Sequence, residues 1–236
     1  VEYILLLQQV GKHEEAYNIL KSHGFHPWEG GEGRVTGAYK SVLISLSKVK
    51  ENEGNLIDAE ELLKAALIYP ENLGEGKLEG TKDNDLHFFL GKLYEKMGRK
   101  EQAQAEFIQA TYGTDQTGGV LYYNDQPAHN ILYQGLALQK LGDAVGASRK
   151  FNGLLEYSEH HFQDEVTPDY FAVSLPHFLV FKEDWTLRNR IHCEYLMALA
   201  SVGFEKMEEA RGWIEKVLEK NPSHMEAKEL MRLFLE

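Results

Sequence analysis

The stretch LGKLYEKMGRKEQAQAEFIQA, residues 90–110, decides the fold of this chain. Small residues at Gly91 and Ala103 would let two antiparallel helices approach closely, and the ring of Phe107 would fill the space beside them. Between them, Gly98 is the type of residue that ends a helix and turns the chain back. The stretch therefore predicts two short antiparallel helices joined by a tight turn.

The same pattern recurs along most of the chain. Turn glycines at Gly11, Gly54, Gly98 and Gly142 are separated by 43, 44 and 44 residues, and each is followed five residues later by an alanine. A fifth unit lies near the end, where Glu205 stands in place of the turn glycine and Gly203 comes two residues early. The predicted units cover residues 1–23, 40–70, 84–113, 128–157 and 191–224.

These units resemble tetratricopeptide (TPR) repeats, which are helix pairs of about 34 residues. The resemblance implies an all-α fold, a right-handed superhelix of antiparallel helix pairs, in one domain over residues 1–236. FHPWEGGEGRVTGAY, YPENLGEGKLEGTKDND, YYNDQP and DYFAVSLPHFLVF are similar to segments of a bacterial family in which such repeats follow a β-rich domain of unknown function. Because Val1 begins within a helical pattern, we expect a C-terminal fragment of a longer protein.

Each unit carries roughly ten residues more than a plain TPR repeat. These inserts, at 24–37, 69–83, 111–127 and 157–185, are expected to emerge on one face of the array, where such proteins build binding surfaces. They combine aromatic rings with Asn, Asp and Gln, as a sugar site does. Packing of the loops onto their own helices explains the same composition, and the sequence leaves both interpretations open.

Composition excludes several classes of partner. A net charge of −12 argues against nucleic acid, which requires a basic surface. The apolar opening run, residues 3–7, is far shorter than the roughly 20 residues that cross a bilayer, so we expect no membrane partner and a cytoplasmic location. The single cysteine, Cys193, permits no internal disulfide.

Helix positions that face the concave groove of TPR proteins are a second source of candidate residues. They include Asp85, His129 and His192, at equivalent places in successive units, together with Phe88 and Tyr195. Equivalent residues of neighbouring units lie on the order of 10 Å apart, too far to share a metal ion, so no metal site is predicted. The lack of a Lys/Arg cluster disfavours capture of an acidic peptide terminus.

No motif of a nucleotide loop, serine hydrolase or metalloprotease is present, so we predict neither enzymatic activity nor a cofactor. Two hypotheses remain: an interaction module for a protein or peptide, including its own upstream domain, and a surface that recognises an oligosaccharide or supports a sugar-processing site of the longer protein. The second hypothesis assigns stacking to rings and hydrogen bonding to nearby polar side chains. Together the two hypotheses name as ligand-binding residues Trp28, Asp85, Phe88, Tyr122, Tyr123, Asn124, Asp125, His129, Tyr170, His192 and Tyr195.

Overall fold

The computed structural model of the protein describes residues 1–26, 28, 31–120, 126–167 and 184–235. In this part of the chain all regular secondary structure is helical, which confirms the predicted all-α class. The helices are α1 (Glu2–Gln9), α2 (His13–Ser22), α3 (Arg34–Asn52), α4 (Leu56–Ala66), α5 (Asn84–Lys96), α6 (Lys100–Ala110), α7 (His129–Lys140), α8 (Ala144–His161), α9 (Trp185–Gly203), α10 (Met207–Lys220) and α11 (Met225–Phe234), with a 3-10 turn at Glu71–Leu73.

The helices group into two compact units, each larger than one repeat: the first unit, Val1–Ala110, and the second unit, Thr111–Glu236. In the first unit, α1 packs on α2, α3 on α4 and α5 on α6, while α2 contacts α3 and α4 contacts α5. In the second unit, α7 packs on α8 and α9 on α10, with α8 against α9 and α11 against α10. The first unit therefore consists of three helix pairs, as the repeat pattern predicts, and the second of two helix pairs followed by α11, which lies beyond the last predicted repeat. That the whole chain is one domain stays a prediction.

All four turn glycines adopt the backbone conformation for which glycine is suited. The φ angles of Gly11, Gly54, Gly98 and Gly142 are 76°, 83°, 75° and 86°, in the left-handed region. Glu205, with a φ of 58°, takes this place in the fifth turn. Its N–H donates to the carbonyl three residues back, as that of Gly98 does, which fixes the register that the sequence left uncertain.

Aromatic rings fill the space above glycines where paired helices meet. A Cβ atom added to Gly91 would lie 2.5 Å from Cε1 of Phe107, so these helices approach as closely as the pattern predicts. Phe151 of α8 occupies the corresponding space at Gly135 of α7, and its ring also contacts Gly203 of α9. Gly203 is thus a packing residue, and its place two residues before the turn is explained.

Two helices extend into predicted inserts. Helix α3 begins at Arg34, so the last part of the 24–37 insert is helical. Helix α8 continues to His161, into the 157–185 insert, and most of the rest of that insert lies outside the described residues. Among the helices that the structure describes, none is long and apolar enough to cross a membrane.

Substitution by alanine is expected to have opposite effects at a helix glycine in contact with a ring and at one in open space. We expect Gly203→Ala to lower the free energy of unfolding by about 1–3 kcal/mol, because the new methyl group would overlap the ring of Phe151. Gly153→Ala in α8 is the matched control, since a Cβ there meets no atom within 4 Å. It should raise the free energy by about 0.5–1 kcal/mol. Urea unfolding measures both, and shifts of the same sign would contradict this account.

Candidate functional site

The first two inserts meet in the first unit. The side-chain amide of Asn72 donates to the carbonyl oxygens of Leu20 (2.7 Å) and His23 (2.8 Å), and its backbone carbonyl accepts from the N–H of Phe25 (2.7 Å). The last carbonyls of a helix lack partners within the helix. Asn72 of the second insert therefore satisfies the end of α2 and fixes the beginning of the first insert.

A second hydrogen bond between the two inserts lies at the start of α3. The Oε2 atom of Glu75 accepts the N–H of Gly33 at 2.8 Å, and a carboxylate is favourable at the positive end of a helix. Two residues earlier, the indole of Trp28 lies against Gly31 and remains 41% exposed. Trp28 and Glu75 thus contact the same short turn. We call residues 23–26, 28, 31–33 and 67–78 the double-insert surface.

Exposed apolar side chains also occur on the double-insert surface. Ile68 is 69% exposed and Leu78 is 77% exposed. The Nζ atom of Lys77 donates to the carbonyl of Leu67 at 2.8 Å, which holds the segments that carry the two side chains next to each other. Exposed Glu71 and Glu79 lie in the same insert. The insert therefore presents apolar side chains among acidic ones.

Buried charges anchor the base of the second insert. The Nζ of Lys40 lies 3.1 Å from Oδ2 of Asp85 and 3.7 Å from Oδ1 of Asp83, and Lys77 pairs with the other oxygen of Asp83 at 2.5 Å. Burial lowers the pKa of Lys40, but the attraction of Asp85 and Asp83 outweighs burial and raises that pKa above its usual value. Asp85 therefore joins α5 to α3 through a charged lysine.

The third insert is fastened in the second unit in a similar way. His192 Nε2 lies 2.9 Å from the carbonyl oxygen of Gly118. The side-chain amide of Gln126 forms two bonds with the backbone of Thr114, and Gln134 donates to the Thr114 carbonyl at 3.2 Å. Side chains of α7 and α9 thus bind backbone groups of the insert.

Burial disfavours the charged form of two histidines of the second unit. It lowers the pKa of His192, against the opposing effect of the bond to Gly118, and it also lowers the pKa of His224. The ring of His224 lies 5.0 Å from that of Tyr195, whose pKa is raised by burial and by Glu226 and Glu229.

The structure brings few of the predicted ligand-binding residues together at a surface. Phe88 (3% exposed) packs against Phe89 and Phe107, and Tyr195 (6% exposed) is covered by His224. The ring of His129 lies 6.2 Å from that of Tyr133. Asp85 pairs with Lys40 of α3, His192 contacts Gly118 of the third insert, and Trp28 is exposed. Their roles in binding stay predictions, and the others lie outside the described residues: Tyr122, Tyr123, Asn124, Asp125 and Tyr170.

Asn72 and Glu75 were visible in the sequence only as polar insert residues. Their partners lie 42 to 52 residues away along the chain, and the repeat spacing does not predict such bonds. Among the described residues, no three His, Cys, Asp or Glu side chains are placed to hold a metal ion.

Two solved structures are similar to this chain at low identity. No protein-family model matches it. The crystal structure of YrrB, a TPR protein with an unusual peptide-binding site, is 14% identical, with 99% of this chain and 90% of that chain covered and a TM-score of 0.31. The crystal structure of MamA is 16% identical over 86% and 99% of the two chains, with a TM-score of 0.27.

The two bonds of Asn72 give a test of how the inserts are held. We expect Asn72→Ala to lower the free energy of unfolding by about 1–3 kcal/mol, because two carbonyls lose their donor. Amide hydrogen exchange should accelerate at residues 23–26. Asn18→Ala on the exposed side of α2 is the control and should change neither quantity. Unchanged exchange in Asn72→Ala would show that other contacts hold the first insert.

His192 makes the stability of the second unit depend on pH. The unfolded chain takes up a proton at the ordinary pKa of 6.5, whereas the folded protein resists protonation of His192. Its stabilisation is therefore complete above about pH 6.5 and is lost as the pH falls through the lowered pKa. We expect urea unfolding to show less loss between about pH 7.5 and 5.5 in His192→Gln than in the wild type. Equal profiles for the wild type and His192→Gln would contradict the assignment.

Proposed function

We propose that this chain is a non-catalytic interaction module whose double-insert surface binds a protein partner. The observation that supports this most directly is that hydrogen bonds hold two inserts in place while Trp28, Ile68 and Leu78 remain exposed. Binding to fixed loops costs less ordering entropy than binding to loose ones. Tryptophan is moreover among the residues that contribute most to protein interfaces.

The aromatic residues at positions that form a groove in TPR proteins are packed in this chain. Phe88 and Tyr195 are 3% and 6% exposed, so their apolar surface is already buried within the units. A partner could gain little free energy from them. The inserts offer the apolar surface that these positions lack.

The acidic residues indicate the chemistry of the partner. Glu71 and Glu79 are exposed in the same insert as Leu78, and the whole chain carries a net charge of −12. Charge complementarity speeds association and disfavours partners of like charge. We therefore expect a protein with an apolar centre and a basic rim.

An oligosaccharide is the second candidate ligand. It is favoured by one observation, the exposed indole of Trp28. An indole can stack on the apolar face of a sugar. This candidate requires Trp28 and does not require Ile68 or Leu78, so substitutions distinguish the two.

The test compares three single variants in binding. A protein captured by the wild type is purified, and its dissociation constant is measured by isothermal titration calorimetry. We expect Trp28→Ala and Leu78→Glu each to weaken binding at least about tenfold, as loss of a central apolar contact does. Ile57→Ala is the matched control, since Ile57 is 54% exposed on α4, outside the double-insert surface. Circular dichroism should show wild-type helicity in all three.

Three results would contradict the proposal. Wild-type affinity in both Trp28→Ala and Leu78→Glu would place the binding surface elsewhere. Quenching of tryptophan fluorescence by maltoheptaose or chitotetraose, lost in Trp28→Ala and kept in Leu78→Glu, would favour the oligosaccharide. Loss of helicity in Trp28→Ala would assign that ring to packing.

A further inference from the structure

Side chains at alternate positions hold residues 75–78 of the second insert in place. The Oε2 atom of Glu75 accepts the N–H of Gly33 at 2.8 Å. Two residues later, the Nζ atom of Lys77 donates to the carbonyl of Leu67 at 2.8 Å and pairs with a carboxylate at 2.5 Å. These four residues contain no helix, turn or bend, which is the course of an extended segment. The main chain of this segment is therefore fixed through two of its own side chains.

The other two positions of the segment face away from the protein. Leu78 is 77% exposed, and a Cβ atom added to Gly76 would meet no atom within 4 Å. Alternation between covered and open positions is the pattern of a β-strand with one free face. A glycine in such a strand marks a place where another backbone can approach closely. Residues 75–78 therefore have the form of a short strand that is open to the outside.

The main chain of this segment also has unused hydrogen-bonding groups. Among the residues that the structure describes, none bonds to the N–H groups of Gly76, Lys77 and Leu78 or to the carbonyl oxygens of Gly76 and Lys77. The carbonyl of Leu78 accepts from the N–H and the Oγ1 of Thr81, where the segment ends in a turn. A row of unpaired main-chain groups in a fixed extended segment is a template for pairing with another chain.

We propose that a protein partner adds an extended segment, as a β-strand, to the main chain of residues 75–78. This inference rests on the proposed function of the double-insert surface and specifies how that surface is used. Main-chain hydrogen bonds provide affinity, while the outward positions Gly76 and Leu78 select the side chains that lie beside them. Ile68, which Lys77 holds next to the segment, adds an exposed apolar contact.

Charge identifies the added strand as a basic segment of a different protein. Over residues 71–79, Glu71 and Glu79 are exposed, and the only lysine, Lys77, is paired with Asp83. A second copy of this chain paired through the same segment would add the negative charge of a second insert. Like charges opposite each other in a sheet are destabilising, whereas opposite charges stabilise the pair. A strand that alternates lysine or arginine with apolar residues therefore fits this edge.

A synthetic basic peptide tests this mode of binding in the full chain. The probe is acetyl-KVKVKV-amide, added to saturation, and amide hydrogen exchange is measured by NMR. In a strand pair, successive residues alternate between bonded and non-bonded positions along one edge. We expect exchange to slow at least about tenfold either at Lys77 alone or at Gly76 and Leu78 together, since a bonded amide must open before it exchanges. The N–H of Thr81, already bonded in its turn, should exchange at an unchanged rate.

Two variants test the role of charge with the same probe. Glu79→Gln should weaken binding of the peptide about twofold to fivefold, as loss of one exposed charge pair does. Glu61→Gln is the matched control, because Glu61 is exposed on α4, outside the double-insert surface. Equal affinities in the two variants would contradict the assignment of a basic strand to this edge. Circular dichroism should show wild-type helicity in both.

Three results would overturn strand addition. The first is no saturable binding of the peptide up to about 10 mM, which lies beyond the range of even weak specific complexes. The second is equal protection at Gly76, Lys77 and Leu78, which indicates a surface that covers the segment without pairing to it. The third is alternate protection that grows with protein concentration and needs no peptide, which assigns the edge to a second copy. Failure of the proposed function is recognised separately, by wild-type affinity for the captured partner in both Trp28→Ala and Leu78→Glu.

Discussion

The contact of an aromatic ring with a glycine on the facing helix is the interaction on which this structure depends. Phe107 fills the space at Gly91, and Phe151 fills the space at both Gly135 and Gly203. The absence of a Cβ atom lets the helix backbones approach, while the ring restores close packing. Because each contact sets the rotation of one helix against the next, it also determines where the inserts leave the helices.

The inserts add surface to the helix pairs of each unit. The first three inserts are attached by side chains that bind backbone atoms: Asn72 and Glu75 in the first unit, and His192, Gln126 and Gln134 in the second. Such bonds satisfy carbonyl and N–H groups that helix ends and loops leave open. Trp28, Ile68 and Leu78 remain exposed on the double-insert surface, which is why we propose that the inserts bind a partner.

The sequence predicted the helices and turns well because their causes are local. Gly98 and Phe107 act within one stretch of 21 residues, so spacing alone reveals them. The bonds of Asn72 could not be predicted, since Leu20 and His23 lie about fifty residues away and any polar loop residue could have served. Tyr195 was expected at a groove, but His224 packs on it, a contact that repeat spacing does not encode. Glu205 shows that residue type alone does not identify every turn, because its left-handed backbone conformation is normally that of glycine.

The way in which Asn72 and Glu75 hold the inserts separates folding from recognition. Their bonds reach carbonyl and N–H groups, which every residue at those positions of the chain would supply, proline excepted for the N–H. The side chains of Ile68 and Leu78 take no part in these bonds. Selection could therefore exchange the exposed side chains for others, and so change which partner is bound, without disturbing the scaffold. The same separation makes the double-insert surface a suitable starting point for engineered binding proteins.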